Sequence, residues 1–113
     1  MKRDDLAYAA DVLLYARRVQ AHVAGYKFED LTTNAMLQDA MIRCFEVMGE
    51  ATKRLSPEFC AGHSEVNWAG MAGFRDVLAH AYESIDLDVC WKIINDDLPG
   101  TIAALERILS SET

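Results

Sequence analysis

Residues 37–55, LQDAMIRCFEVMGEATKRL, decide the fold class of this 113-residue chain. Apolar side chains recur in this stretch at alternating steps of four and three residues: Leu37, Met41, Cys44, Met48, Ala51 and Leu55. This spacing is typical of a helix that packs lengthwise against neighbouring helices. The helix is predicted to begin at Thr33 or Asn34, either of which can cap it, and to end near Leu55. Gly49 lies inside it at a cost of about 1 kcal/mol relative to alanine, which a close crossing with another helix would explain.

The rest of the chain has the same helical periodicity, without hairpin dipeptides or a sustained alternation of apolar and polar residues. A first helix is predicted from about Asp4 to about Ala24, before a glycine that can end it. Residues 56–66, SPEFCAGHSEV, are predicted to form the main loop. Asn67 is predicted to cap a third helix, and a fourth helix is predicted to begin near Asp86.

The dipeptide Pro99-Gly100 is predicted to break or kink the fourth helix. A short last helix is then predicted over about 101–110, because apolar residues recur there at helical spacing. The sequence therefore predicts an all-α fold, an antiparallel four-helix bundle with a short fifth C-terminal helix. Residues 1–113 are expected to form a single domain, since the length suits one hydrophobic core.

Composition and charge limit the classes of function. The chain is 51% hydrophobic and 26% charged, as in ordinary globular proteins, and has no apolar run of the ~18 residues that a membrane span needs. Its first residues read as an amphipathic helix and not as a signal peptide, so a cytoplasmic protein without membrane contact is expected. The net charge of −7 and the pI of about 4.8 count against non-specific binding of nucleic acid, which usually requires a basic protein.

The three cysteines, Cys44, Cys60 and Cys90, are widely spaced and form no CxxC pair. Only Cys60 and His63 have a spacing seen among metal ligands, and two ligands in a loop are a weak signal. Free thiols in a reducing compartment are therefore expected, without a metal site.

The stretch RDVLAHAY, residues 75–82, concentrates polar groups in an apolar segment. On an ideal helix the Cβ directions of Arg75 and His80 diverge by about 140°. The two side chains would meet only if the arginine stem sweeps round, the helix frays or a second chain closes the site. The plainer alternative is a hydrogen-bonded pair of Asp76 with His80 beside a stacked arginine. Gly70 and Gly73 suggest a close backbone approach in the same helix.

Two carboxylates in the second helix, Glu46 and Glu50, lie one turn apart on one face. Such a pair could bind Mg²⁺, although a di-metal bundle needs more carboxylates or Glu-x-x-His pairs. A surface network with Arg43, Lys53 and Arg54 is the favoured interpretation, because charge runs on helices are usually solvated.

In these residues the chain resembles the HepT-type toxins of the HEPN superfamily, small all-α proteins encoded beside a minimal nucleotidyltransferase antitoxin of the MntA type. The signature of that family is an arginine, four residues, a histidine, one residue and a tyrosine. Arg75, His80 and Tyr82 match it in full. The segments LQDAMIRCFEVMGEATKRLS, NWAGMAGFRD and IDLDVCWKIINDDLPG are also similar to the family, so the likeness covers most of the chain.

The resemblance implies a metal-independent endoribonuclease without a cofactor, the toxin of a type II toxin–antitoxin system that acts as a homodimer with a shared cleft. His80 would take the proton of a ribose 2′-hydroxyl, and Arg75 would hold the phosphoryl oxygens. Tyr82 would accept AMP from the antitoxin, which silences the toxin. Asp76 is a hypothetical orienting group for the histidine, and Glu46 and Glu50 are supporting candidates.

Two other functions remain open. Related helical bundles act as non-catalytic modules that bind a nucleotide or a partner beside a nucleotidyltransferase, and the acidic charge suits that role better than RNA binding. A Mg²⁺-dependent nucleotide hydrolase that uses Glu46 and Glu50 is a further alternative, for which more ligands would be needed.

Overall fold

The computed structural model describes residues 3–80 and 84–112, and helices account for most of them. In chain order these are α1 (Arg3–Val23), α2 (Phe28–Thr33), α3 (Ala35–Lys53), α4 (Pro57–Gly62), α5 (Trp68–His80), α6 (Leu87–Lys92), a π-helical turn (Ile93–Asp97) and α7 (Leu98–Glu112). The described ranges contain no β-strand. The predicted all-α helical bundle is therefore confirmed.

The long helix α3 forms as its sequence pattern predicts. Asn34 is the N-cap, and its Oδ1 accepts a hydrogen bond from the backbone N–H of Leu37 over 3.0 Å. All six apolar residues of the predicted seam are buried: Leu37, Met41, Cys44, Met48, Ala51 and Leu55. The periodicity therefore identified the face of α3 that packs in the core.

An antiparallel pair of α1 and α3 forms the centre of the fold. The buried Asp5, near the start of α1, accepts hydrogen bonds from Ser56 just after the end of α3. Its Oδ1 lies 2.8 Å from the Ser56 backbone nitrogen and its Oδ2 lies 2.7 Å from the Ser56 Oγ. These bonds offset the cost of burying a carboxylate and fix the relative register of the two helices.

The last helix packs on the other side of α1. Leu105 is fully buried, and Arg17 of α1 donates a hydrogen bond of 2.7 Å to Glu106 of α7. Helix α6 lies against α2, where the rings of Phe28 and Trp91 are 6.2 Å apart. Helix α5 instead packs mainly against α3, so much of its surface is left open.

Gly49 marks the place where α3 and α5 come closest. A Cβ at this position would overlap the Cβ of Arg75 and would lie 2.7 Å from its Cγ and 3.0 Å from the carbonyl oxygen of Met71. The close helix crossing that the glycine suggested is confirmed.

No other helix of the described chain comes close to Gly70 or Gly73, so the close backbone approach suggested there is not found within one chain. A Cβ at Gly70 would meet the side chain of Asn67, the residue that caps its own helix, and a Cβ at Gly73 would meet nothing within 4 Å. The glycine that admits a neighbouring helix lies in α3, because the partner helix brings the larger side chain to the contact.

The predicted loop at 56–66 is wrong over half of its length, since it contains helix α4. The hydroxyl of Ser56 accepts a hydrogen bond of 3.2 Å from the Phe59 backbone, and Pro57 occupies the first helical turn. Phe59 is buried in the core. A helix of only six residues is too short to produce a periodic pattern, which is why the sequence read as a loop.

The sequence predicted a break or a kink at Pro99-Gly100, and the break is wrong, because α6, the π-helical turn and α7 follow one another without interruption. The backbone N–H of Leu98 donates to the carbonyl oxygen of Ile93, five residues back, as in a π-helix. Pro99 directly follows this turn, where the ordinary i→i−4 hydrogen bonding is interrupted and a residue without an N–H is tolerated. The short fifth helix predicted over 101–110 is thus a longer element that begins at Leu98 and directly continues the fourth.

None of the helices in the described part of the chain is both long enough and apolar enough to cross a bilayer.

Candidate functional site

The guanidinium of Arg75 lies at the surface between two carboxylates. Its stem crosses α3 over Gly49, and its Nη2 lies 3.4 Å from an oxygen of Glu50. Its Nη1 lies 3.5 Å from Oδ1 of Asp76. The side chain is 31% exposed, and both ion pairs are long. Long, partly solvated pairs are weak, so the guanidinium keeps the capacity to bind an incoming anion.

Asp76 connects α5 to α3. Its Oδ1 accepts a hydrogen bond from the ammonium of Lys53, and Arg75 contacts the same oxygen. The hydrogen bond from Lys53 is the main reason that the pKa of Asp76 is lowered from its ordinary value, with Arg75 adding to the effect. The contacts of Asp76 therefore reach cations, and its suggested action on His80 stays a prediction.

His80 is the last residue of α5 and its side chain is exposed. An exposed imidazole at a helix end is accessible to a substrate and can accept or donate a proton. Gly73 and Val77 lie on the same side of the helix as His80, at steps of four and three, and Val77 is 55% exposed. Tyr82, the third residue of the motif, lies outside the described residues.

Glu46 and Glu50 face a groove of about 380 Å³ between α1 and α3. Glu50 lies 3.9 Å from Arg54 as well as 3.4 Å from Arg75, so it bridges two guanidinium groups. The predicted surface network is confirmed for Glu50 and Arg54, whereas Lys53 turns to Asp76. Arg75 also lines this groove, and the sequence did not indicate that it would.

The cysteines form no disulfide, in agreement with the predicted free thiols. Burial raises the pKa of all three, that of Cys90 to about 11. His63 packs its ring against Phe59, with centroids 4.6 Å apart, and lies 3.9 Å from Glu65. No group of three or more histidine, cysteine or acidic residues that could hold a metal ion occurs among the residues with described structure.

A larger cavity of about 540 Å³ lies between α5 and the π-helical turn with α7. Its floor includes Phe45 and Phe74, whose rings meet edge to face with centroids 5.2 Å apart. Its rim includes Asp96, Asp97 and Arg107. The sequence did not reveal this cavity, because it depends on the gap between α5 and α7 and on the course of the π-helical turn.

Comparison with known proteins identifies the family. The model of a family described as "Ribonuclease HepT-like" matches residues 12–108. A protein of Thermococcus cleftensis named "Probable ribonuclease HepT" is 33% identical over 108 residues, which cover 96% of this chain and 98% of the relative. A protein of Caldanaerobacter subterraneus subsp. tengcongensis, provisionally named an RNase, is 33% identical over 105 residues, or 93% of this chain and 94% of the relative.

A third relative, from Methanocaldococcus jannaschii and also provisionally named an RNase, is 34% identical over 98 residues, or 87% of this chain and 90% of its own. No solved structure gives a significant match. The family match spans most of the helical bundle and includes both Arg75 and His80. By its sequence and its helical fold, the chain belongs to the HepT-like ribonuclease family.

Proposed function

We propose that the protein is a metal-independent endoribonuclease that cleaves RNA through attack by a ribose 2′-hydroxyl. The observation that carries the proposal is the pairing, on one helix of a HepT-like chain, of a surface guanidinium with an exposed histidine at the helix end. Arg75 can bind the phosphate, and His80 can exchange the proton. The enzyme is proposed to act in the cytoplasm, as the toxin of a type II toxin–antitoxin pair.

The reaction follows from the chemistry of these two groups. A ring nitrogen of His80 takes the proton of the 2′-hydroxyl as the 2′-oxygen bonds to phosphorus. Arg75 donates hydrogen bonds to the phosphoryl oxygens and offsets the charge that develops on them. The bond from phosphorus to the 5′-oxygen then breaks, and that oxygen takes up a proton. The products are a 2′,3′-cyclic phosphate and a 5′-hydroxyl.

A homodimer is part of the proposal, because the reaction needs a base and an acid while each chain has one histidine in the motif. Arg75 extends over α3 toward Glu50, whereas His80 lies on the side of α5 that carries Gly73 and Val77. A second copy against that side would bring a second histidine to the site. This side of α5 is open to solvent at Gly73 and Val77, so a second copy can reach it.

The first test is RNA cleavage by the purified protein in EDTA. The wild type is expected to leave 2′,3′-cyclic phosphate ends, whereas His80→Ala and Arg75→Ala are expected to lose at least about a hundredfold in rate. His22→Ala is the matched control, since His22 is also an exposed histidine in the last turn of a helix. Activity that vanishes in EDTA but returns with Mg²⁺ would instead favour a metal site at Glu46 and Glu50.

Tyr82 is proposed as the site that a nucleotidyltransferase antitoxin of the MntA type modifies with AMP. A phosphate group placed beside Arg75 and His80 would occupy the position of the RNA phosphate and repel the substrate. Tyr82→Phe is therefore expected to keep RNase activity and to escape silencing, while Tyr26→Phe, which changes another tyrosine, is silenced like the wild type. Intact-mass measurement after incubation with the antitoxin and ATP checks this, and the mass of an added AMP on the Tyr82→Phe protein would refute it, because another residue would then be the acceptor.

A second candidate function rests on the net charge of −7, which disfavours RNA binding. In this alternative the protein is a non-catalytic module that binds a nucleotide or a partner beside a nucleotidyltransferase. Expression of the wild type and of His80→Ala in a bacterium without the antitoxin separates the two. Growth arrest by the wild type alone supports the ribonuclease, and equal growth of both supports the binding module.

A further inference from the structure

We propose that three arginines arranged along α3 bind the backbone of single-stranded RNA on both sides of the bond that is cut. This inference names a substrate track for the ribonuclease proposed above and rests on that proposal. The three residues are Arg43, Arg54 and Arg75, which line the same groove between α1 and α3.

The spacing of the three arginines follows from the helix crossing. Arg43 lies in α3 and Arg54 is the residue that caps its C-terminus, eleven residues or about three turns further along the same side. Arg75 enters between them, because its stem crosses α3 over Gly49. At 1.5 Å per residue, the crossing lies about 9 Å along the axis from Arg43 and about 8 Å from Arg54.

These intervals fit the repeat of an RNA strand. They are of the order of the length of one extended nucleotide, and a flexible arginine stem covers the remaining difference. Arginine binds phosphate through two parallel hydrogen bonds, so three arginines in a row can hold three successive phosphates. The middle one, Arg75, belongs to the reaction, and the outer two therefore hold the neighbouring phosphates.

The carboxylates of the groove define the kind of strand that fits. Asp11, Glu46 and Glu50 line the groove with the arginines, so its formal charge is zero in a chain that carries −7. Carboxylate oxygens accept hydrogen bonds from base amino groups, which are accessible in an unpaired RNA strand. Tyr8, at the same groove, provides a ring on which a base can stack.

A neutral groove makes binding depend on individual contacts. A strongly basic surface tolerates the loss of one cation, because many others contribute to the same field. Here each arginine holds its own phosphate, and the rest of the chain repels the strand. The loss of Arg43 or of Arg54 should therefore weaken RNA binding measurably by itself.

The test is binding of a ten-nucleotide single-stranded RNA with 2′-methoxy groups, which cannot be cleaved, measured by fluorescence anisotropy at several salt concentrations. Arg43→Ala and Arg54→Ala are expected to lower the affinity several-fold and to reduce the slope of log affinity against log salt by about 0.7 each. Arg43→Lys is expected to keep the slope, because the charge stays. Arg107→Ala is the control, since Arg107 is an exposed arginine on the rim of the other cavity.

The kinetics give an independent readout. On a cleavable ten-nucleotide RNA, both alanine variants are expected to raise KM several-fold while kcat changes little, because His80 and Arg75 are intact. On a dinucleoside monophosphate, which has no flanking phosphate, the two variants are expected to match the wild type in kcat/KM.

The outcomes separate this inference from the ribonuclease proposal. Affinity and salt slope that stay at the wild-type value in both alanine variants overturn the track, even if the wild type cleaves RNA. No binding of the ten-nucleotide RNA by the wild type also overturns it. If the salt slopes of the two alanine variants fall as expected but the wild type cleaves no RNA, the track is supported and the ribonuclease proposal is refuted.

Discussion

The side chain of Arg75 occupies the space that a side chain at Gly49 would need, although the two residues are 26 positions apart in the sequence. A Cβ at Gly49 would overlap the Cβ of Arg75, so shortening the arginine to alanine would not remove the conflict. The absence of a side chain at Gly49 sets the distance between α3 and α5, and with it the place where the guanidinium emerges. A glycine in the middle of a packed helix predicts such a crossing, but the partner is known only from the fold.

Gly49→Ala is expected to lower the free energy of unfolding by about 1–3 kcal/mol, because overpacking outweighs the gain in helix propensity. It is also expected to bring RNase activity down toward that of Arg75→Ala, since the guanidinium shifts. Gly100→Ala is the matched control: Gly100 is also helical, and a Cβ there meets nothing within 4 Å. Urea unfolding checks the first effect, and an alanine variant as stable as the wild type would contradict the close crossing.

At the scale of the elements, the strength of the local signal decides what the sequence reveals. Helix α3 has a cap and five steps of regular apolar spacing, and its bounds differ little from the prediction. Helix α4 has only six residues and lies in a segment rich in loop-forming residues, so its sequence shows no helical periodicity. The π-helical turn at Ile93–Asp97 has no sequence signal of its own, because a proline just after it also fits a simple break.

Pro99→Ala is expected to change the free energy of unfolding by less than about 1 kcal/mol, because Pro99 follows the π-helical turn, where the i→i−4 hydrogen bonding is already interrupted. Ala103→Pro, four residues further along the same helix, is expected to cost about 3 kcal/mol or more. Chemical unfolding followed by circular dichroism compares the two variants. A large change in stability on removing Pro99 would mean that the proline itself holds the π-helical turn in place.

At the scale of the whole molecule, the all-α fold class could be predicted from the sequence. The uncovered side of α5 could not. The apolar pattern predicts that helices cover one another, but it cannot tell that α5 packs mainly on α3 and leaves Gly73 and Val77 exposed. The candidate site had the same limit. Arg75 and His80 could be identified because they belong to one short sequence motif. The contact of Arg75 with Glu50 could not, because it depends on how two helices cross.

Gly73→Glu is expected to weaken the proposed homodimer and the RNase activity together, because a charge on the exposed side of α5 would be buried against the second copy without a partner. Gly62→Glu, at another glycine with open space around it, is the control. Size-exclusion chromatography with light scattering across a range of protein concentrations measures the dissociation. An undisturbed dimer would place the subunit contact elsewhere.

The π-helical turn also has a consequence for how this family can change in length. A π-helical turn holds one residue more than an α-helical path over the same distance, and removing that residue restores ordinary hydrogen bonding. A single deletion within 93–97 would thus leave an unbroken α-helix in which α6 and α7 keep nearly the same facing. In the middle of α1 or α3, by contrast, deletion of one residue would rotate the rest of the helix by about 100° and move buried side chains to the surface. Among relatives of different length, gaps of one residue should therefore collect at this turn.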